Sequence, residues 1–178
     1  RKLARLVDIF LSKDGIDRHE FSLARELTPL SRFMQEFVAN TTREDAKILV
    51  NEDNTQDLEV FIDETLIGLA ITNLIETSRR FAHGRPIQIE LHRHSNLLVE
   101  IAIPCKGEGL DDDEIRLIGD ALFRREMEAK SLRNALGLHI SQRIVDAHGG
   151  SIKLRDRGDN GIELCLLLSC EEIGVAKA

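Results

Sequence analysis

A chain of 178 residues with 42% hydrophobic content can bury one core of ordinary size, so a single α/β domain is expected, not two. Charged residues make up 31% of it, and a formal net charge of -7 repels phosphate backbones and anionic lipid, which disfavours non-specific nucleic-acid binding. No apolar run reaches the ~20 residues that span a bilayer and no leader pattern opens the chain; Cys105, Cys165 and Cys170 form no Cys-x-x-Cys pair, which fits free thiols in a reducing cytoplasm.

Leu3, Leu6, Val7 and Phe10 recur at helical spacing and stop near Lys13-Asp14-Gly15, the tail of a helix continued from upstream. Arg1 in place of an initiator Met fits a piece of a longer protein, whose membrane anchor, if it has one, lies elsewhere. Ser22 precedes a second amphipathic pattern with Leu23, Leu27, Leu30, Met34 and Phe37 on one face, and Pro29 inside it predicts a kink or a later start. Two short strands follow, Lys47 to Asn51 and Leu58 to Ile62, joined by the turn-rich Glu52-Asp53-Asn54. Asp63-Glu64 opens a helix to about Phe81, with Leu66, Leu69, Ala70, Asn73, Leu74 and Thr77 at three- and four-residue steps, ending near His83-Gly84. Alternation in Ile87, Ile89, Leu91 and in Leu97, Val99, Ile101, Ile103 predicts an antiparallel strand pair. Asp111 to Lys130 is charged and partly helical, anchored by Ile115, Ile118, Leu122 and Phe123. A helix from about Leu136 to Ala147 ends at Gly149-Gly150, and strands Ser151 to Arg155 and Ile162 to Leu168 flank the turn Gly158-Asp159-Asn160-Gly161.

The run Ala135-Leu136-Gly137-Leu138-His139-Ile140-Ser141-Gln142-Arg143-Ile144-Val145-Asp146-Ala147-His148-Gly149-Gly150-Ser151-Ile152 resembles the last glycine box, helix and strand of the ATP-binding domain of bacterial sensor histidine kinases. The order of elements from about Phe21 to Ser169 is similar to that domain and to the wider superfamily of gyrase-like ATPases. The resemblance implies a two-layer α/β sandwich of the Bergerat type, with a mixed, mostly antiparallel sheet and helices on one face. It assigns residues 21–178 to the ATP-binding-type domain and 1–20 to the end of a dimerisation helix and its linker, with the phosphoacceptor histidine upstream of Arg1. Ala24-Arg25-Glu26-Leu27-Thr28-Pro29-Leu30 superficially resembles the phosphoacceptor box, but it has no histidine at the acceptor position.

Three boxes that touch nucleotide in the family are altered here. Asn73-Leu74-Ile75-Glu76-Thr77-Ser78-Arg79-Arg80-Phe81 resembles the asparagine box at Asn73, Arg80 and Phe81, but Thr77 stands where the family has the asparagine that holds Mg²⁺. Magnesium takes hard oxygen ligands in near-octahedral geometry, which a short Thr hydroxyl serves poorly. In Cys105-Lys106-Gly107-Glu108-Gly109 both glycines of the first glycine box remain, but Cys105 replaces the aspartate that receives the adenine amino group. A thiol is a weak acceptor, and losing one such charged hydrogen bond costs about 1.5–3 kcal/mol. Arg133-Asn134-Ala135-Leu136-Gly137-Leu138 keeps one glycine, Gly137, where the family has three that bring helix-terminal N–H groups to the triphosphate.

The expected function is therefore a histidine kinase ATP-binding-type domain that binds ATP and Mg²⁺ weakly or not at all and signals through conformation. Its partners would be its own dimerisation helices, in a homodimer, and a response regulator or partner kinase. The alternative is an active autokinase with a divergent pocket built on Arg80, Phe81, Gly107, Gly109 and Gly137; a third is a pocket reshaped for another small ligand. Remaining candidates point to blander roles: His92 and His94 share a strand face but lack a third ligand, His139 and His148 fit surface or satisfied histidines, and Asp111-Asp112-Asp113-Glu114 fits a helix start. Cys105 has no identified base to make it a nucleophile.

Overall fold

The structure, a computed structural model, describes residues 23–41, 47–107, 110–123, 132–158 and 161–172, with side chains only from Leu136 in the stretch that begins at Leu132. The leading helix, the division at residue 20, and Gly109 lie outside the described residues. In chain order the elements are β1 (Glu26–Pro29), α1 (Leu30–Thr41), β2 (Ile48–Asp53), β3 (Leu58–Ile62), α2 (Glu64–Ala82), β4 (Ile87–Ser95), β5 (Leu98–Cys105), α3 (Asp112–Phe123), α4 (Leu132–Ala147), β6 (Ser151–Asp156) and β7 (Ile162–Glu172).

The strands form one sheet in the order β1-β3-β7-β5-β4-β2, with β6 also paired to β7. Among the described residues only β2 and β4 run parallel; the other pairs are antiparallel. The two-residue period sorts the side chains. Val99, Ile101, Ile103 and Cys105 on β5 and Leu164, Leu166 and Leu168 on β7 join the helices in the main core. Ala102, Cys165 and Leu167 form a small cluster on the other face. The fold is thus a mixed α/β sandwich with helices on one face. Among the described residues no helix is long and apolar enough to cross a membrane.

Local chemistry sets the ends of α2. Asp63 caps it, its Oδ1 accepting from Leu66 N at 3.1 Å; Glu64 sits in the first turn and Arg79 and Arg80 in the last, each sign where the helix dipole favours it. His83 closes it in the left-handed region, followed by Gly84 at φ 77°. The acidic run is likewise a helix start, with Asp111 Oδ1 accepting from Glu114 N at 3.0 Å.

One expected helix is shorter than its pattern. The face of Leu23, Leu27, Leu30, Met34 and Phe37 does not run continuously, because Glu26–Pro29 pairs with β3 and the helix begins at Leu30. Pro29 offers no N–H to a helical ladder, whereas the strand pairing needs none from it at its end. Leu27 consequently lies opposite Phe61, both about half exposed on the outer face, while Leu30 and Met34 are fully buried. The strands read as joined across Glu52-Asp53-Asn54 do not pair with each other; β2 is at one edge of the sheet and β3 lies beyond β7.

Gly150 and Gly119 give opposite expectations. A Cβ on Gly150 would meet Leu167 O at 2.4 Å, while one on Gly119, inside α3, meets nothing within 4 Å. Gly150→Ala is expected to destabilise by about 1–3 kcal/mol. Gly119→Ala is expected to stabilise by up to ~1 kcal/mol. Urea unfolding of the two variants checks both signs.

Candidate functional site

The residues singled out in the three boxes lie on α2, on the loop that leaves β5, and on α4. Asn73, midway along α2, turns its amide toward α4: Nδ2 donates to Gly137 O at 3.0 Å and to Ser141 Oγ at 3.2 Å. Ser141 Oγ in turn donates to Gly137 O at 2.8 Å or to Ala70 O at 3.3 Å. The fit is close: a Cβ on Gly137 would lie 3.1 Å from the Asn73 side chain. Asn73, Ser141 and Gly137 thus form a polar seam between the two helices, set in apolar packing that includes the buried Leu74 and Leu138.

Thr77 is buried and donates its hydroxyl to Asn73 O at 3.0 Å, back along its own helix. That bond uses the hydroxyl proton within α2. Arg80 reaches Glu114 on α3 at 3.1 Å and stacks 5.2 Å from the Phe81 ring centroid. Ser78, its neighbour on the helix, donates to Pro104 O at 2.6 Å.

Cys105 ends β5 with its side chain fully buried, and burial pushes the thiol up to about 12. It is an apolar, protonated residue at neutral pH, unsuited to receive an amino hydrogen bond or to act as a nucleophile. Gly107 has φ 152°, and a Cβ there would fall 1.6 Å from Phe81 O, so glycine is required where the loop crosses the end of α2. Residues 132–135 form the first turn of α4, which begins earlier than the Leu136 expected from sequence. At positions 77 and 105 the structure thus has a hydroxyl bonded to a carbonyl of its own helix and a buried thiol.

The structure brings together two sites that sequence reasoning did not assemble. A cavity of about 560 Å³ opens between the loop after β5, α3 and the β6–β7 turn, with Lys106, Asp112 and Asp156 at its wall and Leu110, Leu154 and Ile162 among its apolar residues. Gly107 lines it too, so the first glycine box borders this cavity, as does Asp112 of the acidic run; Leu110, Leu154, Asp156 and Ile162 are marked by no motif. On the outer face, Glu100, Glu163 and Cys165 place ligand atoms within 4.8 Å of one another. A guanidinium already sits there: Arg155 donates to Glu100 at 2.6 Å and to Glu163 at 2.7 Å, and Arg157 adds a bond to Glu163 at 2.6 Å. Burial alone would raise the Glu100 carboxyl, but hydrogen bonds from Arg155 and His94 hold it below its ordinary value. His92 and His94 take separate partners, Glu90 at 3.3 Å and Glu100 at 3.0 Å. Their shared strand face therefore does not gather a histidine-based metal site.

A family profile described as histidine kinase-, DNA gyrase B-, and HSP90-like ATPase matches residues 62–171. The sensor protein KdpD of Clostridium acetobutylicum is 27% identical over 166 residues, covering 89% of this chain and 18% of that protein. The adaptive-response sensory kinase SasA of Prochlorococcus marinus is 30% identical over 106 residues, 58% of this chain and 28% of that protein. The chain thus spans under a third of the length of these relatives. Among solved structures, the mycobacterial sensor histidine kinase MprB superposes with a TM-score of 0.62 at 19% identity, covering 84% of this chain and 100% of that one. Full-length ShkA in complex with AMPPNP gives 0.68 at 16% identity, over 99% of this chain and 37% of that one. At these identities the structural likeness speaks for the fold.

The seam between α2 and α4 makes a testable difference between two box residues. Asn73→Ala removes both interhelical donors and is expected to lower unfolding stability by about 1–3 kcal/mol. Thr77→Val keeps shape and loses only a bond to a carbonyl of its own helix, so a change within about 1 kcal/mol is expected. Chemical denaturation of the pair in nucleotide-free buffer reads the contrast directly.

Proposed function

Because the chain belongs to the family of histidine kinase-, DNA gyrase B- and HSP90-like ATPases, we propose that it is the ATP-binding-type domain of a two-component sensor histidine kinase with a degenerate pocket. A histidine kinase ATPase-type domain in signal transduction agrees with the family match and the sensor-kinase relatives. The degenerate reading is carried by one observation: Cys105, at the position of the base-recognising aspartate, is a fully buried thiol held protonated up to about 12. The inward-turned hydroxyl of Thr77 supports it from the metal side.

In this reading the domain works through contact and conformation. It packs against the dimerisation helices of its own homodimeric protein and presents a surface to a response regulator or a partner kinase, without transferring a phosphoryl group itself. Residues 21–178 make up the domain, placed on the cytoplasmic side, and residues 1–20 link it to those helices.

Calorimetry with ADP and ATP, with and without Mg²⁺, tests the reading. Loss of the single adenine contact alone weakens affinity by roughly ten- to a hundredfold, so binding is expected to be weak and little improved by Mg²⁺. A low-micromolar dissociation constant for ATP with Mg²⁺ would instead establish the autokinase alternative.

Repair of the pocket is the companion test. Cys105→Asp together with Thr77→Asn is expected to raise affinity for ADP over the parent, most clearly with Mg²⁺ present. A double variant that folds normally and gains no affinity for any adenine nucleotide would show that these positions are not the adenine and magnesium contacts, or that more than these two side chains closes the pocket.

A further inference from the structure

His148 lies where three parts of the chain meet: the end of α4, the junction between β3 and α2, and residues 24 and 25 leading into β1. The residue is 8% exposed and both ring nitrogens have partners. Nδ1 lies 2.7 Å from Ile144 O, and Nε2 lies 3.0 Å from the backbone N of Asp63. A carbonyl only accepts and a backbone N–H only donates, so this pair of partners selects the neutral ring with its proton on Nδ1. A second proton would have to sit on Nε2, donor against donor.

The Asp63 bond holds more than one residue. The Asp63 carboxylate caps α2 through Leu66 N at 3.1 Å and accepts from Ala24 N at 3.1 Å. The next residue, Arg25, donates through Nη2 to Ala147 O at 2.5 Å, beside the histidine. Residues 24 and 25 are therefore tied to both sides of the His148 ring. Among the described residues, the charged groups that bear on it are Arg25, from the approach to β1, and Asp63, from the β3–α2 junction. Asp146, its near neighbour on α4, is held by Gln142 at 2.7 Å.

We propose that His148 is a proton-operated latch: as a neutral ring it fastens the approach to β1 against α2 and α4, and on protonation it releases Asp63 N–H and loosens residues 24 and 25. Burial, with Arg25 adding repulsion, sets the ring below the ordinary histidine value of 6.5, against the opposing pull of Ile144 O and Asp63. With the folded value lowered, the unfolded chain binds more protons between the two values. The contribution to stability is therefore complete above 6.5 and declines as pH falls from 6.5 towards the folded value.

Hydrogen exchange and NMR on the whole chain test the latch. The ring of His148 should titrate below 6.5 as the Nδ1–H tautomer. Protection of the Asp63 and Ala24 amides, corrected for intrinsic exchange, should fall at least several-fold with the same midpoint, while Leu74 and Ile101 stay protected. Arg25→Gln should move the ring midpoint upward, and His148→Gln should abolish the pH dependence of Asp63 protection in that window. A ring that titrates at or above 6.5, or an Asp63 amide that stays protected throughout the titration, would overturn the proposal. If His148→Gln fails to fold, the parent protein and Arg25→Gln still decide the question.

Discussion

Much of the architecture depends on what β7 must satisfy. The strand is buried from Ile162 to Leu168, so it needs cover on both faces and partners on both edges. β5 takes one edge, from Leu98 opposite Ser169 to Cys105 opposite Ile162. The other edge is shared: β6 covers Ile162 to Leu167, and β3 takes over at Cys170. That division leaves little room where α4 returns to the sheet, and the close approach of Gly150 to Leu167 O follows from it. The outer face of β7 imposes a second condition. Glu163 and Glu100 on β5 are almost wholly buried, and a buried carboxylate without a partner costs several kcal/mol. Arg155 on β6 and Arg157 just beyond it meet that condition, so β6 supplies both backbone pairing and counter-charge.

On the helical face the corresponding constraint is the contact of α2 with α4. Apolar packing alone would let the two helices slide, since neighbouring ridges offer similar fits. The bonds from Asn73 to Gly137 and Ser141 select one register, because an amide aimed at a particular carbonyl loses it after a shift of one residue. At the other end Arg80 fastens α2 to the first turn of α3 through Glu114. Side chains that belong to an asparagine box by sequence thus act as brackets between helices.

Periodic patterns made most elements legible: α2, the β4–β5 pair and β7 all follow from apolar spacing, because their buried faces are long enough to show a period. β1 was hidden since four residues carry little periodicity and its strand state comes from pairing with β3, a partner more than thirty residues away. Nothing in the local pattern marks Glu100 or Glu163 as buried. Their burial depends on where the Arg155 side chain lies across the sheet, which no local spacing records. The same holds for Asn73: its place on a helix face is visible in sequence, its partner on α4 is not. For the altered boxes, sequence identified the substitutions, while the inward-turned Thr77 hydroxyl and the burial of the Cys105 thiol needed three-dimensional contacts.

Those contacts change what the surviving motif residues can be taken to mean. Gly107 is required because Phe81 O occupies the space of a Cβ, and Gly137 allows Asn73 to lie close against it. Asn73 is required for the seam, and Leu138 is core. Each of these residues has a reason to be present that involves no nucleotide, so their presence does not argue for binding. Position 77 is different. Its side chain is buried, and its hydroxyl bonds to a carbonyl of its own helix. A bond within one helix ties no separate elements together, so position 77 is under a weaker structural demand than Asn73 or Gly107. In the proposed reading Thr77 therefore adds to the buried thiol of Cys105, and neither argument depends on the residues that the packing itself retains.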